Sequence, residues 1–259
     1  MPKFSVTNPE YELLVPAFRL LFGVYNDYLL SCILPNSSQI TILDCGSGSG
    51  NMTINLSKYW TEKLLIIGID IDPEVLSQFS ANVASPLAKC ITLTGDLRDE
   101  KTWGELDECL DGTPLDVVLN GFTFHHFNQN DKQKLYNNCA QRLIEGGRFV
   151  NFDIYAHESE IVSGWTLHRD LEWISGQHTN PGYFLPWDYF WETASRAQLS
   201  LQSELWVEHY LKENQPLPLS TEKCLMELAG LNEFEIVARV SQVAIVSSAK
   251  VPSSQSSYS

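Results

Sequence analysis

The sequence predicts a doubly wound α/β fold, in which a mostly parallel sheet has helices on both faces. Between residues 40 and 154, short apolar runs alternate with segments of helical periodicity, as in successive βα units. The apolar runs are continuous rather than alternating, which is typical of strands buried on both faces. A chain of 259 residues has room for one such domain and a sizeable insertion.

The alternating region is expected to contain five strands. They lie at residues 40–44, 64–70, 90–93, 116–120 and 148–154. Farther along the chain, residues 220–231 have the periodicity of a helix, and residues 233–248 contain two more strand-like runs.

Two of the intervening helices have clear boundary signals. Asp72 followed by Pro73 predicts an N-cap and a first-turn proline, and one apolar stripe then recurs at Val75, Phe79 and Val83. The same spacing recurs at Leu135, Cys139 and Leu143, after which Gly146 and Gly147 predict the end of the helix.

The composition excludes several classes of partner. With 17 Lys and Arg against 32 Asp and Glu, the formal charge is −15 and the pI is near 4.7. Such a chain lacks the clustered cations that a nucleic-acid backbone or an anionic membrane surface requires. Its six cysteines include no Cys-x-x-Cys pair, so we expect no structural metal and thiols that stay reduced. The N-terminus has no apolar signal region, and a cytoplasmic protein is expected.

The strongest functional motif is a glycine-rich turn directly after the first strand. Asp44 ends the strand, and Gly46, Gly48 and Gly50 follow at alternate positions. Glycine permits positive φ and close approach of a ligand to the backbone. The exposed N–H groups of the next helix, expected to begin near Asn51, favour an anionic group. Because Asn51 occupies the place of the third glycine in Gly-x-Gly-x-x-Gly, a nicotinamide dehydrogenase is disfavoured.

A second carboxylate ends the next strand. Asp70 lies 20 residues after Gly50, the spacing at which an acidic side chain accepts hydrogen bonds from ribose hydroxyls. Asp72 is accounted for as a helix cap, so we expect Asp70 to be the residue that binds a nucleoside.

Together these motifs resemble those of the class I S-adenosylmethionine-dependent methyltransferases, which have a Rossmann-like sheet. The resemblance continues through Gly95-Asp96-Leu97 and through the fourth-strand segment 116–127 with its paired histidines. It also covers residues 143–153, where Glu145 replaces the proline of the usual Leu-x-Pro-Gly-Gly pattern. Residues 228–231 and 242–248 are similar to the family's last helix and antiparallel terminal hairpin.

The resemblance implies S-adenosyl-L-methionine as cofactor and a set of residues that bind it. The turn at Gly46, Ser47 and Gly48 would cradle the methionine part of the cofactor. The other implied contacts are Asp44 at its amino group, Asp70 at the ribose hydroxyls, Ile71 against adenine, Asp96 and Leu97 at the adenine edge, and Asn120 near the sulfonium.

Two histidines are candidates for catalysis. His125 and His126 follow the fourth strand, at the edge where open α/β sheets bind ligands. Either is a candidate general base for an acceptor hydroxyl. The resemblance favours His125, because the family's paired-histidine segment turns its first histidine toward the pocket. The alternative is that both histidines cap the loop or pack beneath the next helix.

An aromatic-rich segment at residues 155–216 interrupts the βα pattern. Its position between the fifth strand and the last helix predicts an inserted helical cap over the cofactor site. Trp165, His168 and Trp187 are acceptor-binding candidates, with burial in an ordinary core as the alternative for each. The expected organisation is an N-terminal helical lid at 1–38, a cofactor-binding core at 39–154 and 217–250, and a disordered tail at 251–259.

The sequence therefore predicts transfer of a methyl group to a small organic molecule, at oxygen, nitrogen or carbon. One alternative is cyclisation or elimination assisted by the cofactor without methyl transfer, as in some members of the family. Another is a non-catalytic binding subunit, although the glycine turn here is intact. A nucleic-acid methyltransferase is disfavoured by the charge and by the lack of an Asn/Asp-Pro-Pro-Tyr segment after the fourth strand. The acceptor and the oligomeric state are left open.

Overall fold

The computed structural model describes residues 21–31, 39–61, 63–159, 161–162, 215–240 and 242–251. Within these ranges, seven strands form one sheet in the order β3-β2-β1-β4-β5-β7-β6. The strands are β1 (Gln39–Cys45), β2 (Lys63–Asp70), β3 (Ala88–Thr94), β4 (Leu115–Gly121), β5 (Leu143–Ile154), β6 (Leu231–Val240) and β7 (Val243–Lys250). Strands β1 to β5 run parallel, and β7 pairs antiparallel with β5 and β6. The predicted doubly wound sheet with an antiparallel terminal strand is confirmed.

Helices cover both faces of this sheet. They are α1 (residues 21–31), α2 (Ile54–Tyr59), α3 (Pro73–Val83), α4 (Glu100–Leu110), α5 (Gln129–Arg142) and α6 (Leu219–Leu228), with a 3₁₀ turn at Phe124–His126. Helices α1 to α3 contribute to one hydrophobic cluster, and α4 to α6 contribute to the other. The central strands β1, β2 and β4 are therefore buried from both sides, which explains their continuous apolar sequences, whereas the edge strand β3 is mostly half-buried.

The helix boundaries agree with the sequence at one place and differ at three, one of which is the end of α6 at Leu228 rather than at Leu231, which begins β6. Asp72 caps α3 by accepting the N–H of Glu74 at 2.8 Å, as predicted. Helix α2 begins at Ile54 rather than near Asn51, because the N–H of Thr53 closes a turn onto the Gly50 carbonyl at 3.1 Å.

The predicted extension of α5 as far as Leu143 is wrong. Helix α5 ends at Arg142, and Leu143 has an extended backbone and pairs with Leu115 of β4. The buried side chain of Leu143 is thus accommodated in the sheet rather than on a helix face. Gly146, with φ 79°, consequently lies within β5 and does not end a helix.

Helix α1 is part of the core. Tyr25 and Leu29 are fully buried, and the ring of Phe22 lies 5.1 Å from that of Phe152 near the end of β5. Residues 21–31 of the N-terminal lid predicted at 1–38 thus pack into the core, and the rest of that segment lies outside the described residues. No helix in the described ranges is long and apolar enough to cross a membrane.

The order of the sheet creates a crevice at one point. From β1 the chain progresses outward to β2 and β3, and then returns to the opposite side of β1 with β4 and β5. Ligands of open α/β sheets bind at the carboxyl ends of the two strands where this reversal occurs. Here these ends carry the glycine-rich turn after β1 and the 3₁₀ turn after β4.

Candidate active site

The glycine-rich turn has positive φ at three positions, a backbone conformation that favours glycine. Gly46, Gly48 and Gly50 have φ of 66°, 52° and 90°. A Cβ at Gly46 would lie 2.2 Å from Thr123 Oγ1, in the loop after β4, so the two loops of the crevice touch. The N–H of Ser47 donates to the Ile69 carbonyl at 2.9 Å, which fastens the turn to the end of β2.

Asp44 lies beneath this turn with its side chain completely buried. Its Oδ2 accepts a hydrogen bond from Thr53 Oγ1 at 3.1 Å, and its Oδ1 has no partner among the described residues. Burial raises the pKa of Asp44 from 3.8 to about 7; the negative charge of Asp70 adds to this rise, and the Thr53 hydrogen bond opposes it. A buried acceptor without a donor is costly, so this oxygen suits a ligand that brings a cation or an N–H group.

The Asp70 side chain accepts a hydrogen bond from the same turn and stabilises it. Its Oδ2 accepts the N–H of Gly48 at 2.9 Å, and its Oδ1 accepts the N–H of Asp72 at 3.0 Å. Each carboxylate oxygen retains further acceptor capacity for a ligand hydroxyl. The next side chain, Ile71, is 69% exposed, which leaves an apolar surface uncovered beside the turn.

In the loop after β3, Asp96 is paired with a neighbouring arginine. Both oxygens of Asp96 contact the Arg98 guanidinium, at 3.0 Å from Nε to Oδ1 and 2.5 Å from Nη2 to Oδ2. This pairing outweighs partial burial and lowers the pKa of Asp96. An adenine amino group would therefore share the carboxylate with Arg98. The carbonyl of neighbouring Leu97, whose side chain is buried, accepts Trp103 Nε1–H at 2.8 Å, which fixes the loop.

His125 forms a buried pair with a carboxylate that the sequence analysis did not single out. His125 Nδ1 lies 2.6 Å from Asp153 Oδ1, and the backbone N–H of His125 donates to Asp153 Oδ2 at 3.1 Å. Complete burial acts to raise the pKa of Asp153, but the His125 ring and further hydrogen bonds together lower it. When the imidazole is neutral, an ionised Asp153 favours the tautomer with its proton on Nδ1, and Nε2 is then the proton acceptor.

Asn120 supports this pair from β4. Its Nδ2 donates to Asp153 Oδ2 at 3.0 Å and to Asn151 Oδ1 at 2.5 Å. The structure thus connects two predicted site residues, Asn120 and His125, through Asp153. His126 is exposed, and its ring centroid lies 4.0 Å from that of His125.

The ends of the 155–216 segment are joined beside His125. The N–H of Gln215 donates to the His125 carbonyl at 2.6 Å. The other links run from the N–H of Ala156 to the Leu217 carbonyl at 3.0 Å, and from Ser220 N and Oγ to Glu158 at 3.0 and 2.6 Å. The segment therefore leaves and re-enters the core next to the candidate base. Trp165, His168 and Trp187 lie outside the described residues.

Sequence reasoning missed one site residue that it had the means to find. Asp153 is the second-last residue of the apolar strand β5, as Asp44 is of β1, so its position predicts a site residue as the position of Asp44 does. Lys132 and Glu222, which form a buried ion pair, carry no comparable signal because they are 90 residues apart. Among the described residues, no group of three or more His, Cys, Asp or Glu side chains is arranged to hold a metal ion.

A family model described as a methyltransferase domain matches residues 42–147. Among solved structures, the chain is similar to an O-methyltransferase family protein from Burkholderia thailandensis, with 11% sequence identity and a TM-score of 0.57. The match covers 93% of this chain and 58% of that protein's chain. It is also similar to an O-methyltransferase family 2 protein from Planctomyces limnophilus in complex with apigenin, with 17% identity and a TM-score of 0.55 over 96% and 64%.

A third similar structure is magnesium protoporphyrin IX methyltransferase from Synechocystis with bound SAH, with 13% identity and a TM-score of 0.56 over 92% of this chain and 86% of that chain. No curated protein sequence matches the chain. At these identities the structural likeness establishes the shared fold. The chain spans 58% and 64% of the length of the first two structures.

Proposed function

We infer that this chain, in which residues 42–147 are a class I S-adenosylmethionine-dependent methyltransferase domain, transfers a methyl group from that cofactor to a small organic molecule. The observation that supports the cofactor most directly is the buried Asp44 carboxylate. Its unpartnered Oδ1 lies beside the glycine-rich turn, so the site suits a ligand that brings an ammonium group. The methionine part of the cofactor has such a group.

The remaining cofactor contacts follow the order of the strands. Gly46, Ser47 and Gly48 would cradle the methionine part of the cofactor, and Asp70 would accept from the ribose hydroxyls. Ile71 would cover the adenine face, and Asp96 with Leu97 its edge. When bound, the cofactor supplies an electrophilic methyl group on a sulfonium, near the end of β4 at Asn120.

The geometry around His125 favours a hydroxyl acceptor and hence O-methylation. A hydroxyl must lose a proton as it is methylated, and His125 Nε2 is the nitrogen left to accept it once Nδ1 is committed to Asp153. His126 is the second candidate for this role. A positioned base contributes about 10²–10⁴-fold to such reactions, and the alignment of acceptor and methyl group contributes the rest.

We propose that residues 155–216, whose two ends are hydrogen-bonded together beside His125, bind the methyl acceptor. Trp165, His168 and Trp187 are the proposed acceptor-binding residues, because the two ends of residues 155–216 meet next to the base. Aromatic side chains and a histidine suit a planar or apolar molecule with a polar group.

A direct assay tests methyl transfer. We expect cofactor labelled on its methyl group, incubated with a panel of phenols and matched anilines, to give labelled product and S-adenosylhomocysteine in equal amounts, with the phenols preferred. Cofactor-assisted cyclisation or elimination would change an acceptor without producing S-adenosylhomocysteine. That outcome, in a protein that binds the cofactor, would replace methyl transfer with the alternative reaction.

The first mutational prediction concerns Asp70. We expect Asp70→Ala to weaken binding of S-adenosylhomocysteine in calorimetry by about 1–3 kcal/mol. The variant removes the acceptor of the ribose hydroxyls and the acceptor of the Gly48 N–H. Asp72→Ala, two residues away and committed to capping α3, is the control and should leave affinity near the native value. Native affinity in Asp70→Ala would rule out the ribose assignment.

A second prediction concerns the predicted cap. Hydrogen exchange in residues 155–216 should slow when cofactor and acceptor are both present, since lids over active sites belong to the less stable parts of a fold. Exchange in β4 serves as the internal reference. Protection that is already maximal in the free protein would show that the segment is core and not a lid.

A further inference from the structure

The loop after β4 contains a phenylalanine with a left-handed backbone. Phe122 has a φ of 55°, a conformation that glycine and asparagine adopt far more readily than a residue with a bulky side chain. Its N–H donates to the Phe152 carbonyl at 3.0 Å, so this residue directly continues the pairing of β4 with β5. Backbone strain of this kind is concentrated at active sites and ligand-binding loops.

The positive φ of Phe122 changes the face of the sheet on which its ring lies. Side chains alternate along β4, so Leu119 lies in the hydrophobic cluster with α1 to α3, and Asn120 contacts Asp153 on the opposite face. An extended backbone at position 122 would send the ring to the same face as Asn120. Instead, the Phe122 ring packs against the α1 cluster, with its centroid 4.9 Å from that of Phe152. The left-handed backbone thus directs an aromatic ring to the α1 side of the strand end.

Packing of the core does not account for an aromatic ring at this position. Phe152 is fully buried, and the rings of Phe22 and Tyr25 on α1 already contact it, with centroids at 5.1 and 5.8 Å. The Phe122 side chain is only half-buried, so part of its surface stays accessible at the end of β4. Helix α1 therefore secures the burial of Phe152, and the strained position needs another explanation.

Phe122 lies between the two parts of the candidate active site. Asn120, two residues before it, is at the end of β4, where the sulfonium of the cofactor is proposed to lie. Thr123, directly after it, donates its Oγ1 to the Gly46 carbonyl at 3.3 Å and so joins this loop to the glycine-rich turn. His125 lies on the opposite face of the sheet from the Phe122 ring. A molecule lying across the ends of β4 and β5 would therefore contact both side chains.

We propose that Phe122 determines acceptor specificity, and that its ring packs against the aromatic ring of the methyl acceptor while the acceptor hydroxyl reaches His125. The inference rests on the proposed function, because it takes the ligand of this crevice to be a methyl acceptor. Aromatic rings attract one another more strongly than their contact area alone provides. The acceptor class is therefore an aromatic alcohol, such as a phenol or a naphthol, rather than a saturated alcohol of the same size.

The test measures binding of two probes, 2-naphthol and its saturated analogue decahydro-2-naphthol, to the full chain in the presence of S-adenosylhomocysteine. In equilibrium dialysis, F122L should bind 2-naphthol about 3–10-fold more weakly than the native chain, because leucine is apolar but not planar. Its affinity for decahydro-2-naphthol should stay near the native value. F122N is a second variant that should remain folded in urea unfolding, because asparagine tolerates the left-handed backbone, and it should also lose affinity for 2-naphthol.

The matched control is F127L, in the same loop, because the Phe127 ring packs 5.9 Å from that of Phe124 in the cluster on the opposite face. It should bind both probes as the native chain does. The proposal is overturned if the native chain does not bind 2-naphthol, if either Phe122 variant binds it with native affinity, if F122L loses both probes equally, or if F127L matches F122L. Weaker binding of S-adenosylhomocysteine by F122L would also overturn it, since the ring would then contact the cofactor. Because no turnover is measured, a failure of methyl transfer would appear separately, in the assay with labelled cofactor.

Discussion

Replacing His125 with asparagine should lower kcat for methyl transfer by about 100-fold or more, while affinity for S-adenosylhomocysteine stays native. The Asn amide can donate to Asp153 as Nδ1–H does, so the pocket keeps its shape. It has no second nitrogen to take the place of Nε2 and accept a proton.

The kinetic constants distinguish the roles that His125 can have. If the histidine only orients the acceptor, KM should rise in the variant while kcat stays near the native value. Native kcat and KM in His125→Asn would remove the residue from the mechanism and leave alignment as the source of rate. His126→Asn is the paired variant, and a greater loss there than in His125→Asn would transfer the role of base to the exposed histidine.

The features that the sequence predicted well are local ones. A strand that ends in a carboxylate and continues into alternating glycines defines its own geometry, and the structure accordingly places Asp44 and Asp70 around a single turn. The N-cap at Asp72 is likewise decided by residues within one helical turn.

The features that were missed depend on contacts between residues far apart in the sequence. Leu143 fits a helical stripe equally well, and its pairing with Leu115 in the sheet decides the outcome. Asp153 is 28 residues from His125, and Lys132 is 90 residues from Glu222, so one sequence does not show that they meet. A buried charge on an otherwise ordinary helix is recognised only once its partner is in place.

Replacing Asp44 with asparagine should have opposite effects on the free protein and on cofactor binding. Burial raises the pKa of Asp44 from 3.8 to about 7 in the folded chain. The folded chain therefore binds more protons than the unfolded chain between these pH values, and the stability that Asp44 contributes below pH 4 is lost as the pH rises through about 7. This rise in the pKa of Asp44 corresponds to roughly 4 kcal/mol in the free energy of unfolding.

An asparagine at position 44 does not ionise and avoids this loss, although its Nδ2 would lie unpartnered at a cost of about 1–3 kcal/mol. We therefore expect the free energy of unfolding of Asp44→Asn, measured in urea at pH 8, to exceed that of the native chain by about 1–2 kcal/mol. The advantage should disappear at pH 4, where the native carboxyl is protonated.

Cofactor binding should change in the other direction. If the Asp44 carboxylate receives the ammonium of the methionine part, native affinity for S-adenosylhomocysteine should rise with pH up to about 7 and then level off, with proton release on binding at the lower pH values. Asp44→Asn should bind about 10–100-fold more weakly at pH 8, since a charge-assisted hydrogen bond is lost, and its affinity should change little with pH across this range.

Asp116→Asn is the matched control. Burial also raises the pKa of the half-buried Asp116 carboxyl. Asp116 lies near the start of β4, away from the strand ends that form the crevice, and it accepts the Thr41 N–H. Affinity that is lost equally in both variants, or kept in Asp44→Asn, would contradict a role for Asp44 in holding the cofactor.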